Sequence, residues 1–339
     1  MARAAVLRDA TITSGIGQFA IIQSVAPSVG IDVSPVNVRE READAGSRSR
    51  RHRLDWRACG ARVSWPRPRC RRSGALRPFG GKSLGLGANP VAGDIATPER
   101  WRQALPPLDA VIHLACAFDG TMADVDRRLL DGLLPHLAAQ PNQATFIYTG
   151  GCWLFGATGD DVASEQAPFR PLPAFAWMVS HLQRVLETEG VAPIVIHPAM
   201  VYEPAAGVFA QFVAEARKRR AIRVVGGEHV RWPLVHREDI ANLYVLALER
   251  GTSRTSYIGA AIPGLPVGRI ARAIAQRFGL RDHAPQIVSA DAIAAELGDW
   301  ARGRAMDQQL SGEKARRELG WTPVHLDPEG EIAALATDE

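Results

Sequence analysis

The distribution of apolar residues predicts alternating strands and helices through most of the chain. Short runs rich in aliphatic and β-branched residues, bounded by small residues, indicate buried strands at 110–114 and 144–149 and a third within 191–204. The segments between them, 126–139 and 174–189, have the length and composition of helices. Strands that alternate with helices favour an α/β fold built around a parallel sheet.

The first forty residues also suggest a strand–helix–strand unit. A strand is predicted at 4–8, a helix at 17–25 and a second strand at 31–38. The spacing G-x-G-x-x-A at 15–20 resembles the turn that holds a dinucleotide diphosphate. The signal is weak, because six residues separate the strand from the first glycine and no acidic residue is clearly placed to bind a ribose.

Residues 40–81 fit no regular pattern. Between Arg48 and Arg72 there are ten arginines and one acid, so this stretch contributes +9 to a net charge of +4. It could be a nucleic-acid-binding arm, a disordered linker or an out-of-frame translation product. We favour the last, since 37 arginines against three lysines indicate GC-rich coding DNA. Nucleic-acid binding is the weakest of the three.

Composition excludes several other classes of protein. At 46% hydrophobic residues the chain can bury a sizeable core, and it contains no apolar run of the roughly 18 residues that a membrane span needs. The N-terminus shows no signal-peptide pattern. The four cysteines have no metal-ligand spacing, so we predict reduced thiols in a cytoplasmic protein and no metal site.

From about residue 82 several short motifs occur in a characteristic order. They are GDI at 93–95, VIHLAC at 111–116, YTGGCWLFG at 148–156, HPAMVY at 197–202 and SGEKARRELGWTP at 311–323. Together they resemble the extended short-chain dehydrogenase/reductase (SDR) family, which includes NAD-dependent epimerases and dehydratases. The resemblance covers about 250 of the 339 residues. It implies a Rossmann-type sheet over residues 82–339, with a small substrate lobe from about residue 200.

The resemblance also implies a function. It points to binding of NAD or NADP and to an epimerase/dehydratase or reductase that acts on a nucleotide-sugar or a similar small carbonyl or hydroxyl compound. The partner would be this small molecule, without a membrane or nucleic acid, and a homodimer is compatible with it. The positions that would contact the cofactor are Asp94, Ile95, Leu114, Ala115, Cys116, Thr149 and Pro198.

The chain departs from this family where the chemistry is expected. The family's Ser or Thr hydroxyl falls at Gly151, which leaves Thr149 as the tentative catalytic hydroxyl. The family's Tyr-x-x-x-Lys pair is absent from the helix predicted at 174–189, whose polar candidates include His181, interpreted as a surface residue. We therefore expect an impaired enzyme; the alternative is a non-catalytic NAD(P)-binding SDR or an inactive chimeric remnant.

Three further expectations concern the N-terminus, residues 231–239 and the closing motif. Residues 1–39 resemble a fragment of an ABC-transporter substrate-binding protein, which would make the N-terminus chimeric. Arg231 could reach an anionic substrate, whereas His236 and Asp239 are predicted to be structural anchors. In the closing motif, Ser311 is expected to cap a helix, and the tryptophan after it to pack the small lobe.

Overall fold

The computed structural model describes residues 5–10, 19–24, 88–116, 118–219, 221–280 and 284–336, with side chains from residue 94 onwards except that of Arg219. The strands in these residues are β1 (Ala5–Ala10), β2 (Phe19–Ser24), β3 (Ala88–Gly93), β4 (Ala110–His113), β5 (Thr145–Thr149), β6 (Ala192–Pro198), β7 (Met200–Glu203), β8 (Ala206–Gly207), β9 (Arg223–Val225), β10 (Arg231–His236), β11 (Thr255–Gly259), β12 (Ile262–Pro266) and β13 (Gln286–Val288). The α-helices are α1 (Met122–Ala138), α2 (Trp177–Glu187), α3 (Ala210–Arg219), α4 (Arg237–Arg250), α5 (Val267–Arg277), α6 (Ala290–Leu297), α7 (Glu313–Leu319) and α8 (Pro328–Ala333).

The central sheet has the strand order β11-β6-β5-β4-β2-β1-β3 in the described residues. Strands β2, β4, β5, β6 and β11 run parallel to one another, which confirms the predicted α/β fold with a parallel sheet. Both faces of β4 and β5 are covered, as their continuous apolar sequences indicated: all four residues of β4 and the central three of β5 are buried. The buried faces of α1 and α2 belong to the same core.

The N-terminal prediction is wrong in one respect. Residues 19–24 lie in a strand, β2, and not in a helix. Because β2 pairs with β1 in antiparallel orientation, residues 5–24 do not form a βαβ unit. Ala20, the last residue of the G-x-G-x-x-A spacing, pairs with Val111 in β4, so it cannot begin a phosphate-binding helix. The apolar run FAII suits either element on its own, and pairing with β4 decides in favour of a strand. The predicted strand at 31–38 and the Arg-rich segment at 40–81 lie outside the described residues.

The segment between β3 and β4 contains no α-helix. Thr97 precedes a single 3-10 turn, Pro98–Arg100, and its side chain makes no capping hydrogen bond. A second 3-10 turn, Arg102–Ala104, follows directly. The chain therefore reaches β4 through tight turns, without a full α-helix. None of the helices in the described ranges has both the length and the apolar character that a membrane span requires.

A smaller lobe follows the central sheet. Its main sheet has the order β12-β10-β7-β8, and β9 pairs separately with β13. Strands β9 and β10 are joined through the turn that contains Gly226 and Gly227, and both glycines have positive φ (79° and 146°), a region that favours glycine.

The C-terminal motif packs against α4 and β11. Trp321 is buried, and its indole N–H donates to the Asp239 carbonyl at 2.9 Å. The buried Asp239 carboxylate accepts the backbone N–H groups of Val324 and His325, each at 3.0 Å. His236 caps α4 by accepting the Glu238 N–H. The anchoring roles of His236 and Asp239 are thus confirmed.

One detail of this motif differs from the prediction. Gly312, and not Ser311, occupies the N-cap position of α7. Ser311 Oγ still accepts the Glu313 N–H, at 3.3 Å, so it ties down the first turn from one residue further out.

Candidate functional site

A cleft lies at the carboxyl ends of β4, β5 and β6. It holds about 1500 Å³ of empty space with its open mouth included. The carboxyl ends of parallel strands are where open α/β sheets bind ligands. Six of the seven positions predicted to contact a cofactor line this one cleft: Ile95, Leu114, Ala115, Cys116, Thr149 and Pro198.

Asp94, the seventh position, is not among the lining residues. Its carboxylate accepts the Ala96 N–H at 2.9 Å, and its carbonyl accepts the indole N–H of Trp101 at 2.8 Å. The side chain is therefore used to hold the turn after β3. What this turn presents to the cleft is Ile95.

The two glycines after β5 have different roles. A Cβ atom on Gly150 would lie 2.4 Å from Nδ1 of His197, so glycine is needed there for packing. A Cβ atom on Gly151 would meet nothing within 4 Å. Gly151 is the position at which the family resemblance places a hydroxyl, and in this chain it leaves the cleft wall open.

Thr149 lines the cleft and has a buried partner. Its hydroxyl lies 2.7 Å from the hydroxyl of Tyr244 on α4. Burial raises the pKa of Tyr244, so this phenol stays protonated at neutral pH and can donate to Thr149. Nothing in the local sequence pointed to Tyr244, because 95 residues separate it from Thr149.

A buried carboxylate network lies beside Thr149. Asp126 on α1 is buried, and its oxygens contact His113 Nε2 at 2.8 Å, the Tyr148 hydroxyl at 2.9 Å and His181 Nδ1 at 2.7 Å. His113 and Tyr148 are register partners on β4 and β5, so the sheet itself places them side by side. Three of these four residues, His113, Asp126 and Tyr148, line the cleft.

The electrostatics of this network follow from its hydrogen bonds. Burial alone would raise the pKa of Asp126, but the bonds from His113, His181 and Tyr148, together with the charge on His113, lower it to about 2. Burial and the adjacent Asp126 charge raise the pKa of Tyr148 well above its usual range. At neutral pH the network therefore contains an ionised Asp126 and a neutral Tyr148.

Helix α2 lies where the family resemblance places the Tyr-x-x-x-Lys pair, and it carries other residues. Trp177, at the beginning of α2, lines the cleft, and its indole N–H donates to the Ala174 carbonyl at 3.0 Å. His181, one turn further on, was interpreted as a surface histidine, and this is wrong: its side chain is 13% exposed and bonds to Asp126. The two residues stand four positions apart, the spacing of the missing Tyr-x-x-x-Lys pair, with their rings 5.0 Å apart.

Arg231 lies away from the cleft. Its guanidinium pairs with Asp307 and Asp160 and donates to the Gly159 carbonyl. These contacts join β10 to the loops that pack against it. We therefore assign Arg231 no part in ligand binding.

One group of side chains has the composition of a metal site. His236, Glu238 and His325 each place a potential ligand atom within 4.8 Å of the others. The two imidazole rings are stacked, however, with centroids 3.7 Å apart and planes 25° apart. Lone pairs in nearly parallel planes do not converge on one ion, and His236 Nδ1 already serves as the cap of α4. The cluster is therefore explained by packing and capping.

Comparison with known proteins agrees with this geometry. Residues 66–259 match the model of the "NAD dependent epimerase/dehydratase family". The match begins within the segment predicted to be an Arg-rich linker. Two yeast proteins are similar over 252 residues, 72% of this chain: the uncharacterized protein C2A9.02 of Schizosaccharomyces pombe, at 26% identity and 83% of its length, and the uncharacterized protein YLL056C of Saccharomyces cerevisiae, at 25% and 82%.

Solved structures share the fold. The dTDP-glucose 4,6-dehydratase DesIV of Streptomyces venezuelae, crystallised with NAD, has a TM-score of 0.61 at 17% identity, over 71% of this chain and 76% of its own. The human epimerase family protein SDR39U1, crystallised with NADPH, has a TM-score of 0.58 at 15% identity, over 68% and 82%. At these identities the likeness establishes the fold alone.

Proposed function

Because the chain belongs to the NAD-dependent epimerase/dehydratase family, we propose that it binds NAD or NADP in the cleft and transfers hydride to or from a small carbonyl or hydroxyl compound. The observation that supports this most is the convergence of Ile95, Leu114, Ala115, Cys116, Thr149 and Pro198 on one cavity. These residues come from four separate segments of the sequence, and the fold brings them together. A nucleotide-sugar is one class of substrate that the family resemblance suggests.

The residues present fit the nicotinamide and ribose half of such a cofactor. Ala115 and Cys116 after β4, and Gly151 after β5, are small residues at the strand ends, where the backbone must approach a ligand closely. A Cβ atom at Gly151 would enter empty space, so the wall is not filled by the protein itself. The residues that follow β2, where the diphosphate binds in this fold, lie outside the described ranges.

When bound, the cofactor supplies or accepts a hydride, and the protein must move the accompanying proton. We infer that the Thr149 hydroxyl holds that proton at the cleft wall. Its bond to Tyr244 fixes the direction of the hydroxyl and provides a second O–H behind it. Tyr148 and His113 also line the cleft, but their hydroxyl and Nε2 atoms bond to Asp126. Tyr148 and His113 therefore hold the cleft wall in place and shield the charge of the Asp126 carboxylate from the cleft.

Calorimetric titration with NADH and NADPH tests the binding half of the proposal. Saturable binding of one of them is expected in the wild type. Ala115→Leu should weaken it at least tenfold, because the branched four-carbon side chain of leucine would fill the space at the end of β4. Ala292→Leu is the matched control on an exposed position of α6 and should leave the affinity unchanged. Absence of saturable binding for both cofactors would contradict the proposal.

A second candidate function is binding without turnover. The observation that favours it is α2, where Trp177 and His181 stand at the spacing of the family's Tyr and Lys. Losing a positioned general acid/base typically costs about 10²–10⁴-fold in rate. Following NADPH oxidation with a panel of nucleotide-sugars and simple carbonyl compounds separates the two. Turnover that Thr149→Val abolishes supports the enzyme, whereas tight cofactor binding with no turnover supports the binding protein.

A further inference from the structure

One side of the cleft is built from four aromatic rings. Phe118, Trp153, Phe175 and Trp300 all line it, and we call them the aromatic wall. Trp153 stacks on Trp300 with centroids 6.3 Å apart and lies 5.6 Å from Phe175. Phe118 meets Trp300 edge-on at 5.6 Å and Phe175 at 6.4 Å. The rings come from four separate segments, so the tertiary fold assembles the wall.

The backbone is adapted to this wall at two points. A Cβ atom on Gly303 would lie 2.4–2.8 Å from ring atoms of Trp153, so the indole has its place only because residue 303 is glycine. Phe118 has a φ of 50°, a conformation that few residues other than glycine adopt. Sparsely populated backbone conformations of this kind cluster at ligand sites.

A single cation stands at the edge of the aromatic wall. Arg304 lines the cleft, and its guanidinium lies over the Trp300 ring, 5.4 Å from the centroid. Burial lowers the pKa of Arg304 to about 10, so it remains charged at neutral pH. Within the described ranges no carboxylate lies within 4 Å of it, whereas Arg302, two residues away, pairs with Asp291 and Asp299.

The other polar side chains of the cleft offer little to a sugar nucleotide. Among the described residues that line it, Arg304 is the single Lys or Arg. Asp126 already accepts hydrogen bonds from His113 and Tyr148. Against the aromatic wall the hydroxyl and diphosphate groups of a sugar nucleotide would find few partners, and buried polar groups without partners are costly. A flat apolar ligand that packs against the rings and places one negatively charged group beside Arg304 matches these side chains.

We propose that this end of the cleft takes a planar, largely apolar carbonyl compound with a single carboxylate, held by the aromatic wall and Arg304. The substrate role rests on the function proposed above, and the binding does not require it. The Arg304 guanidinium loses hydrating water through burial. The ligand carboxylate would compensate for this loss by accepting a charge-assisted hydrogen bond from the guanidinium. The planar body would lie against the rings of Trp153 and Phe118, the two members of the aromatic wall that are only partly buried.

Ligand binding in the absence of cofactor tests this directly. By calorimetry, 4-carboxybenzaldehyde should bind more tightly than benzaldehyde, and UDP-glucose should bind most weakly. Arg304→Gln should weaken 4-carboxybenzaldehyde about 10- to 100-fold and leave benzaldehyde unchanged, as expected for loss of a charged hydrogen bond. Arg302→Gln, in which a surface ion pair is lost, is the matched control and should change neither affinity.

A second variant keeps the proposal testable if Arg304→Gln fails to fold. Trp153→Leu should weaken both aldehydes by a similar factor, because both stack on the same ring. The proposal is overturned if UDP-glucose binds more tightly than 4-carboxybenzaldehyde, or if Arg304→Gln affects the charged and neutral aldehydes alike. If NADH and NADPH fail to bind while these aldehyde affinities hold, the proposed function fails and the ligand site stands.

Discussion

Replacing Asp126 by asparagine tests the buried network at its centre. The change keeps the shape of the side chain and removes its charge. In the wild type both carboxylate oxygens accept hydrogen bonds, one from His113 and the other from Tyr148 and His181. An asparagine amide keeps one oxygen and turns an NH₂ group towards partners that already donate. At least one buried donor is then left without an acceptor.

The structure sets the size of the effect. The pKa of Asp126 is about 2, against an ordinary value of 3.8, which corresponds to about 2 kcal/mol of folding free energy at neutral pH. The unsatisfied donor adds about 1–3 kcal/mol. We therefore expect Asp126→Asn to lower the free energy of unfolding by about 3–5 kcal/mol, before any rearrangement of the histidine tautomers.

Urea denaturation followed by circular dichroism measures this loss. Asp131→Asn is the matched control, because Asp131 lies on the same helix but is exposed and pairs with Arg127 and Arg184 at the surface. It should cost no more than about 0.5 kcal/mol. The pH dependence gives a second criterion. A depressed carboxyl pKa stabilises the fold above pH 4, and this contribution is lost as the pH falls through about 2.

Two results would refute this reasoning. One is equal stability of the Asp126→Asn and Asp131→Asn variants at neutral pH. The other is a difference between wild type and Asp126→Asn that stays constant from pH 5 to pH 2, since the other carboxyl groups titrate equally in both proteins.

Three further predictions concern packing around the cleft and in the small lobe. Gly150→Ala should destabilise the protein by about 1–3 kcal/mol, because its Cβ would collide with His197, whereas Gly151→Ala should be nearly neutral in the same denaturation assay. Burial lowers the pKa of His197 to about 4. Between pH 6.5 and pH 4 this histidine is therefore protonated in the unfolded chain but neutral in the folded one, which lowers the free energy of unfolding as the pH falls. In His197→Leu the free energy of unfolding should fall less steeply over this range than in the wild type. Trp321→Ala should cost about 3–5 kcal/mol in urea denaturation, from the lost indole packing and the unmade bond to the Asp239 carbonyl.

The parts of the fold that the sequence predicted are those with local signals. Strands β4 and β5 are continuous apolar runs, and the Gly320 end of α7 has the positive φ (70°) that glycine allows. The segment 19–24 was misassigned because a four-residue apolar run has no periodicity of its own. Its pairing with β4, more than 80 residues further on, decides its structure.

The candidate site likewise divides into features that local sequence signals predict and features that depend on distant contacts. Seven cofactor-contact positions could be placed from family motifs, and six of them line one cleft. The Asp126 network could not be placed, because its bonds span 13, 22 and 55 residues and no local spacing encodes them. Once β4 and β5 are taken as parallel neighbours, however, their register brings His113 beside Tyr148. The role of His181 was misjudged because α2 was considered without the helix α1 that carries its partner.

The central claim is that the cleft at the ends of β4, β5 and β6 is a dinucleotide site. A crystal structure of the protein grown with saturating NADPH, and in parallel with NADH, tests this most directly. We expect a nicotinamide ring beside Thr149 and Pro198, with the adjoining ribose against Ala115. A bound cofactor elsewhere on the surface, or crystals in which this cleft holds only solvent at saturating concentrations of both cofactors, would contradict it.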